Sequence, residues 1–274
     1  MNKKTIIIFV DLVFAVLFMV SFCTRGFGDE TSKTSKNPVE KNDEVLTDKD
    51  APRYDLTEGK NKKYKVTYCM NAWDDKQGKF IEDYSITGTL SLTMKGMDDK
   101  ERYIISVESL IESALTKGKE ISGEGYDKVN IEVVLKPLGG VTLDEDIDKK
   151  LKASKYPEAH ARVQRALGVL YPPLPGTTQD IEDGKSKWKG CSVSIAKGTK
   201  AEDINEWSFA YQGRKEKDMI IIEGSWQANP MGMKTKVESQ FKDGIIIKGS
   251  MHYDRTIEAK IVLKCDMTAT LIEK

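Results

Sequence analysis

The sequence predicts a mainly β domain of the α+β kind. Its long antiparallel sheet would curl into a half-barrel, barrel or sandwich, with one or two helices from the middle of the chain packing on it. Three observations carry this expectation. Apolar and polar residues alternate at period two through much of the chain, turn signals punctuate the alternating runs, and helical spacing is confined to residues 143–170.

From Ile257 to Leu271 every second residue is apolar or small (Ile257, Ala259, Ile261, Leu263, Cys265, Met267, Ala269, Leu271), with Glu, Lys, Asp and Thr filling most positions between. Such alternation predicts one strand with a dry face and a wet face, because successive side chains leave a strand on opposite sides. The same pattern marks Ile86 to Met94, Tyr103 to Val107, Ile131 to Leu135, Trp207 to Tyr211 and Met231 to Val237. The runs "MIIIEG" and "GIIIKG" are apolar at consecutive positions and predict strands covered on both faces. "DGK", "KDG" and "DDK" supply hairpin turns between runs. Strands of this length twist, so the sheet must coil.

In the middle, "LDEDIDKKLKAS" opens with carboxylates and closes with lysines, as the helix dipole favours. "YPEAHARVQRALGVL" places Pro157 in a first turn and lines up Ala159, Val163, Ala166, Leu167 and Leu170 on one face. That face can pack on the dry side of the sheet. Pro172, Pro173 and Pro175 then end the helix, and "YPPLPGTTQDIEDGKSKW" reads as a connector to a strand near Lys187 rather than as a site.

The N-terminus carries two lysines, an apolar run from Thr5 to Phe22 and a small, polar sequel, the layout of a secretory signal. Three outcomes stay open at its end. Cleavage after Gly28 would release the domain; "VSFC" would offer Cys23 for lipidation, with Phe22 where a small residue is usual; an uncleaved run would serve as an anchor, with Asp11 counting against it. Each outcome puts the domain outside the cytoplasm, in the periplasm, at the cell surface or secreted. Residues 1–28 are accordingly expected to be a signal or anchor, 29–61 a polar disordered tether with a reach of roughly 30 Å, and 62–274 a single β-rich domain.

Composition narrows the functional classes. The chain has 274 residues with 43 basic and 43 acidic side chains, interspersed rather than blocked, so it lacks the electrostatic footprint of a nucleic-acid binder. It contains no Gly-x-Ser-x-Gly, phosphate-loop or His-Glu-x-x-His motif. The two histidines, His160 and His252, are both expected to face solvent, so no catalytic residue, metal or cofactor is assigned and the chain reads as a non-enzyme. Parity along the strands directs Cys191 and Cys265 inward and Cys69 outward. A Cys191–Cys265 disulfide or two buried free thiols follow.

The succession "LGVLYPPLP", "DGKSKWKG", "IIIEGSWQ" and "VESQFKDGIIIKGSM" resembles an uncharacterised family of bacterial envelope lipoproteins, in which a helix ends in a proline-rich turn before a β-meander. The meander with Phe241-x-Asp243-Gly244 is similar to the periplasmic lipoprotein-carrier half-barrels, which cradle acyl chains. Neither resemblance implies catalytic residues. Two functions are therefore expected. One is an envelope binding or scaffold module, attached to the membrane through its N-terminus and contacting an envelope protein. The alternative is an apolar-ligand carrier lined by Trp207, Phe209, Met231, Met233 and Tyr253.

Overall fold

The computed structural model describes residues 52–74, 77–116, 119–120, 127–143, 147–175, 187–196, 204–228, 233–257 and 261–273. The chain divides into two units, 1–42 and 43–274, and the described residues all lie in the second.

In chain order the strands are β1 (Asn61–Asp74), β2 (Lys79–Met97), β3 (Tyr103–Thr116), β4 (Lys119–Glu120), β5 (Asp127–Leu135) and β6 (Val141–Leu143). Three short helices follow, α1 (Ile147–Lys152), α2 (Pro157–Gln164) and α3 (Leu167–Leu170). The second half is β7 (Lys187–Ala196), β8 (Ile204–Glu216), β9 (Met219–Ala228), β10 (Met233–Lys242), β11 (Ile245–Ile257) and β12 (Ile261–Glu273). All twelve strands belong to one sheet in the order β2-β1-β12-β11-β10-β9-β8-β7-β6-β5-β3-β4. In addition β2 pairs with β3 along Tyr84–Met97 against Thr116–Tyr103, and the twelve strands form one curled sheet. β6 is a short strand that meets β7 through Val141 with Val193, Thr142 with Ser194 and Leu143 with Ile195.

That link is also where antiparallel order breaks: β6 and β7 run parallel. Parallel neighbours require a crossover connection, and α1, α2 and α3 supply it by passing through the inside of the curl. α2 packs against β1, β2 and β3, while α3 packs against β7, β10 and β11. Period two settles which side chains meet them. Tyr64, Val66, Tyr68 and Met70 of β1, Cys265, Met267 and Ala269 of β12, and Val129, Ile131, Val133 and Leu135 of β5 are all buried in one core with the helices.

Two glycines set how closely wall and helix approach. A Cβ on Gly88 would lie 2.6 Å from Leu110 O and 3.3 Å from the Val163 methyl, and one on Gly249 would lie 2.8 Å from the Val169 methyl. A side chain at Gly88 would first meet the β3 backbone, and one at Gly249 would meet Val169 of α3. Ser239, opposite Gly249 in the ladder, donates its hydroxyl to Val169 O at 2.6 Å and so satisfies a carbonyl at the end of α3.

Three expectations are corrected by the fold. The alternation from Ile257 to Leu271 is two strands, since Ile257 pairs with Ile261 and Arg255 with Leu263. The pattern crosses the reversal without a glycine, proline or asparagine to mark it. The single helix expected over 156–170 is bent, with Arg165 and Ala166 between α2 and α3. Residues 52–60, expected within the tether, pack on the sheet. The Tyr54 ring meets Tyr171 at 5.4 Å and Phe241 at 5.6 Å, its hydroxyl donates to Pro172 O at 2.6 Å, and Asp55 N–H donates to Gly244 O at 2.8 Å.

The proline segment is a connector, as expected, and it is also a clamp. Residues 171–175 are all buried. Leu174 N–H donates to Leu138 O, Gly140 N–H donates to Tyr171 O, and the Trp188 indole N–H donates to Pro173 O at 2.8 Å while its ring stacks on Tyr211. Residues 176–186 lie outside the described residues.

Candidate functional site

The chemistry-bearing side chains that the fold gathers lie between α2 and the wall. Pro157 opens α2 and Glu158 follows in the first turn, which suits a helix start. One turn of helix brings His160 against β3 and β5. Its ring is fully enclosed, contrary to the expected solvent exposure, because this side of the helix packs against Ser109 of β3 and Asp127 of β5.

Nδ1 of His160 lies 2.8 Å from Ser109 Oγ, and Nε2 lies 3.2 Å from Asp127 Oδ2. The second contact has ion-pair distance but poor hydrogen-bond alignment. The same Asp127 oxygen accepts the Tyr156 N–H at 2.8 Å. Burial lowers the pKa of His160, and the neighbouring Asp127 only partly opposes it. Two residues further along the helix, the buried Arg162 guanidinium lies 4.5 Å from the Tyr84 ring centre and 5.5 Å from that of Tyr68, with Glu158 at 3.8 Å. The Tyr68 and Tyr253 hydroxyls are 3.4 Å apart. Burial raises the Tyr68 pKa well above its ordinary value and pushes the Cys265 thiol up to about 11.

A serine, a histidine and an aspartate in a row invite comparison with a hydrolytic triad. A working triad needs a nucleophile that substrate can reach and donors for the developing oxyanion. Here Ser109 is wholly enclosed, so a carbonyl could reach its Oγ only by displacing α2. What the row does in place is give Ser109 a partner in Nδ1 and tie one helix to two strands.

The second histidine is on the outer surface. His252 Nδ1 lies 2.7 Å from Asp266 Oδ1 and Nε2 lies 3.2 Å from Asp254 Oδ2, and these carboxylates raise its pKa. Among the described residues no group of His, Cys, Asp and Glu is arranged to hold a metal ion.

Cys23 and Met231 lie outside the described residues. Trp207 and Phe209 occupy β8, Met233 begins β10 and Cys191 sits on β7, with their side chains outside the described set. Tyr253 on β11 is half-buried against the core. Cys69 is exposed and Cys265 is buried, as parity predicts, and Cys265 is a free thiol. In the ladder β8 to β11 lie between the strands of Cys191 and Cys265.

Among the described residues, the buried inward side chains of the strands form one core with the helices and with Tyr171 and Leu174. A recess near one end, bounded by Asp55, Lys62, Met94 and Tyr171 among others, has room for about one water molecule.

A comparison with protein-family models finds no match, and a comparison with curated proteins finds none either. Among solved structures, the chain is similar to a β-barrel-like protein of a domain of unknown function from Brucella abortus, at 10% identity and a TM-score of 0.15, over 77% of this chain and 96% of that one.

Proposed function

We propose that this chain is an exported bacterial-envelope domain, held at the membrane through its N-terminal segment, with a non-catalytic binding or scaffold role. One observation carries the reading: the inside of the curled sheet is filled by α2, α3 and the proline segment, with every residue from 166 to 175 buried. A domain filled this way presents its outer strands and loops, and a protein of the envelope is the partner such a surface suits. Export and attachment rest on the N-terminal sequence, with Cys23 as the lipidation position. Fractionation of a bacterial host followed by intact mass measurement tests them together. Protein in the membrane fraction beginning at Cys23 with added acyl mass, or retaining its apolar run, supports attachment; a chain in the soluble fraction beginning near Asp29 removes it.

The second reading, an apolar-ligand carrier, draws on the narrow β6–β7 link beside the helical crossover. A carrier would have to move α2 and α3 out of the curl, and the β6–β7 pairing is short where they enter and leave it. A lipid that co-purifies and leaves on delipidation would favour that reading over the scaffold.

A further inference from the structure

Nothing in the scaffold reading requires a histidine, a serine and an aspartate to meet in the core, and their arrangement has a consequence of its own. We propose that the Ser109–His160–Asp127 contact is an acid-sensitive latch that holds α2 inside the sheet and loosens when the His160 imidazole takes up a proton.

The geometry sets the direction. A neutral imidazole has one donor nitrogen and one acceptor nitrogen. With Nε2–H turned toward the Asp127 carboxylate at 3.2 Å, Nδ1 accepts the Ser109 hydroxyl at 2.8 Å. The imidazolium carries N–H on both nitrogens, so Ser109 would have to accept rather than donate. Its displaced proton would then need a new acceptor in a fully enclosed setting. Among the described residues Asp127 is the carboxylate beside the ring, with Oδ2 3.2 Å from Nε2 and also accepting the Tyr156 N–H, and it opposes the effect of burial only in part.

Among the described residues, the groups on the neighbouring elements are engaged with one another. β1 presents Tyr68 and β2 presents Tyr84, and both rings are occupied by Arg162. α1 turns Ile147 and Leu151 to the core and leaves Lys149, Lys150 and Lys152 exposed. On α2 itself Glu158 faces Arg162. Burial therefore outweighs Asp127, and the folded state favours the neutral ring. A histidine held below its ordinary value contributes stability that is complete above about pH 6.5 and is lost as pH falls toward its folded midpoint. The latch is closed at neutral pH and weakens in acid.

Hydrogen exchange on the full chain between pH 7.5 and 5.0, corrected for intrinsic rates, reads the latch directly. Protection of the α2 and α3 amides should fall by up to about tenfold between pH 6.5 and 5.5, while β1 and β12 amides stay protected. In His160→Gln the pH dependence of α2 should flatten. Equal pH dependence in His160→Gln and the unaltered chain, or none in either, would overturn the proposal. Should the variant not fold, NMR titration of the two histidines in the unaltered chain decides: a His160 midpoint below 6.5 that coincides with loss of α2 protection supports the latch. A midpoint at or above 6.5, or α2 protection unchanged through the His160 transition, refutes it.

Discussion

At the scale of single residues, placement relative to the wall decides chemistry. The two histidines have opposite surroundings, His160 enclosed in the core and His252 on the outside between Asp254 and Asp266. His252 is therefore raised, and its pairing contributes at pH values below 6.5 and is lost as pH rises through its own midpoint. Being partly exposed, the pair adds at most about 1 kcal/mol. Asp266→Asn should bring the His252 midpoint back toward 6.5, as read by NMR titration, with little change in stability. The cysteines divide in the same way. Cys69 is exposed and Cys265 is buried with its thiol pushed up to about 11, so little Cys265 thiolate exists near neutrality. Iodoacetamide at pH 8 followed by peptide mapping should modify Cys69 in the folded protein and Cys265 only after denaturation. Equal labelling of both would contradict the placement of β12. Alternation alone made the cysteine directions legible, since it needs only knowledge of which face is dry. The burial of His160 was not legible, because a helical stripe shows where a helix first packs and not what else comes to lie against it.

Between elements, small residues and single hydrogen bonds hold the helical segment in place. Gly249 touches Val169 and Ser239 caps its carbonyl, so β10 and β11 grip α3 from neighbouring strands. Gly249→Val should destabilise the fold by about 1–3 kcal/mol through overpacking, measured by urea unfolding. Val169→Ala in the same chain should restore part of that loss, because the two positions share one contact. Additive losses would mean that Val169 is not what Gly249 accommodates. Trp188→Phe keeps the ring but leaves Pro173 O without its indole donor, and should cost about 1–3 kcal/mol. The elements themselves were largely legible. Strand cores in β2, β3, β5, β8 and β12, the Asp243–Gly244 turn and the stop after α3 all follow from periodicity and turn chemistry. The β11–β12 reversal was not, since no turn residue interrupts the alternation from Ile257 to Leu271. Nor was the packing of residues 52–60, whose grip depends on Tyr54 reaching Tyr171 and Phe241, a partnership only the fold creates.

For the whole molecule, the decisive feature is the path of the crossover. A parallel β6–β7 pair obliges the chain to cross the sheet, and here it does so through the concave side, so the core is completed by the chain itself. Periodicity predicted a curled sheet with helices upon it. It could not distinguish helices lying against an open cavity from helices filling one, because an inward face reads as apolar in both cases. The site expected along Trp207, Phe209, Met231, Met233 and Tyr253 was therefore read from a pattern that core and cavity share. Filling also separates the scaffold reading from the carrier reading in energetic terms: a carrier would have to expose the buried faces of α2 and α3 before ligand could replace them. Native mass spectrometry of the protein purified without denaturation from host membranes, before and after delipidation, tests this most directly. The account predicts the mass of the processed chain with any covalently attached acyl groups and no further species, unchanged by delipidation. A stoichiometric lipid that is bound non-covalently and lost on delipidation would contradict it, and would mean that the helical segment gives up its place inside the sheet.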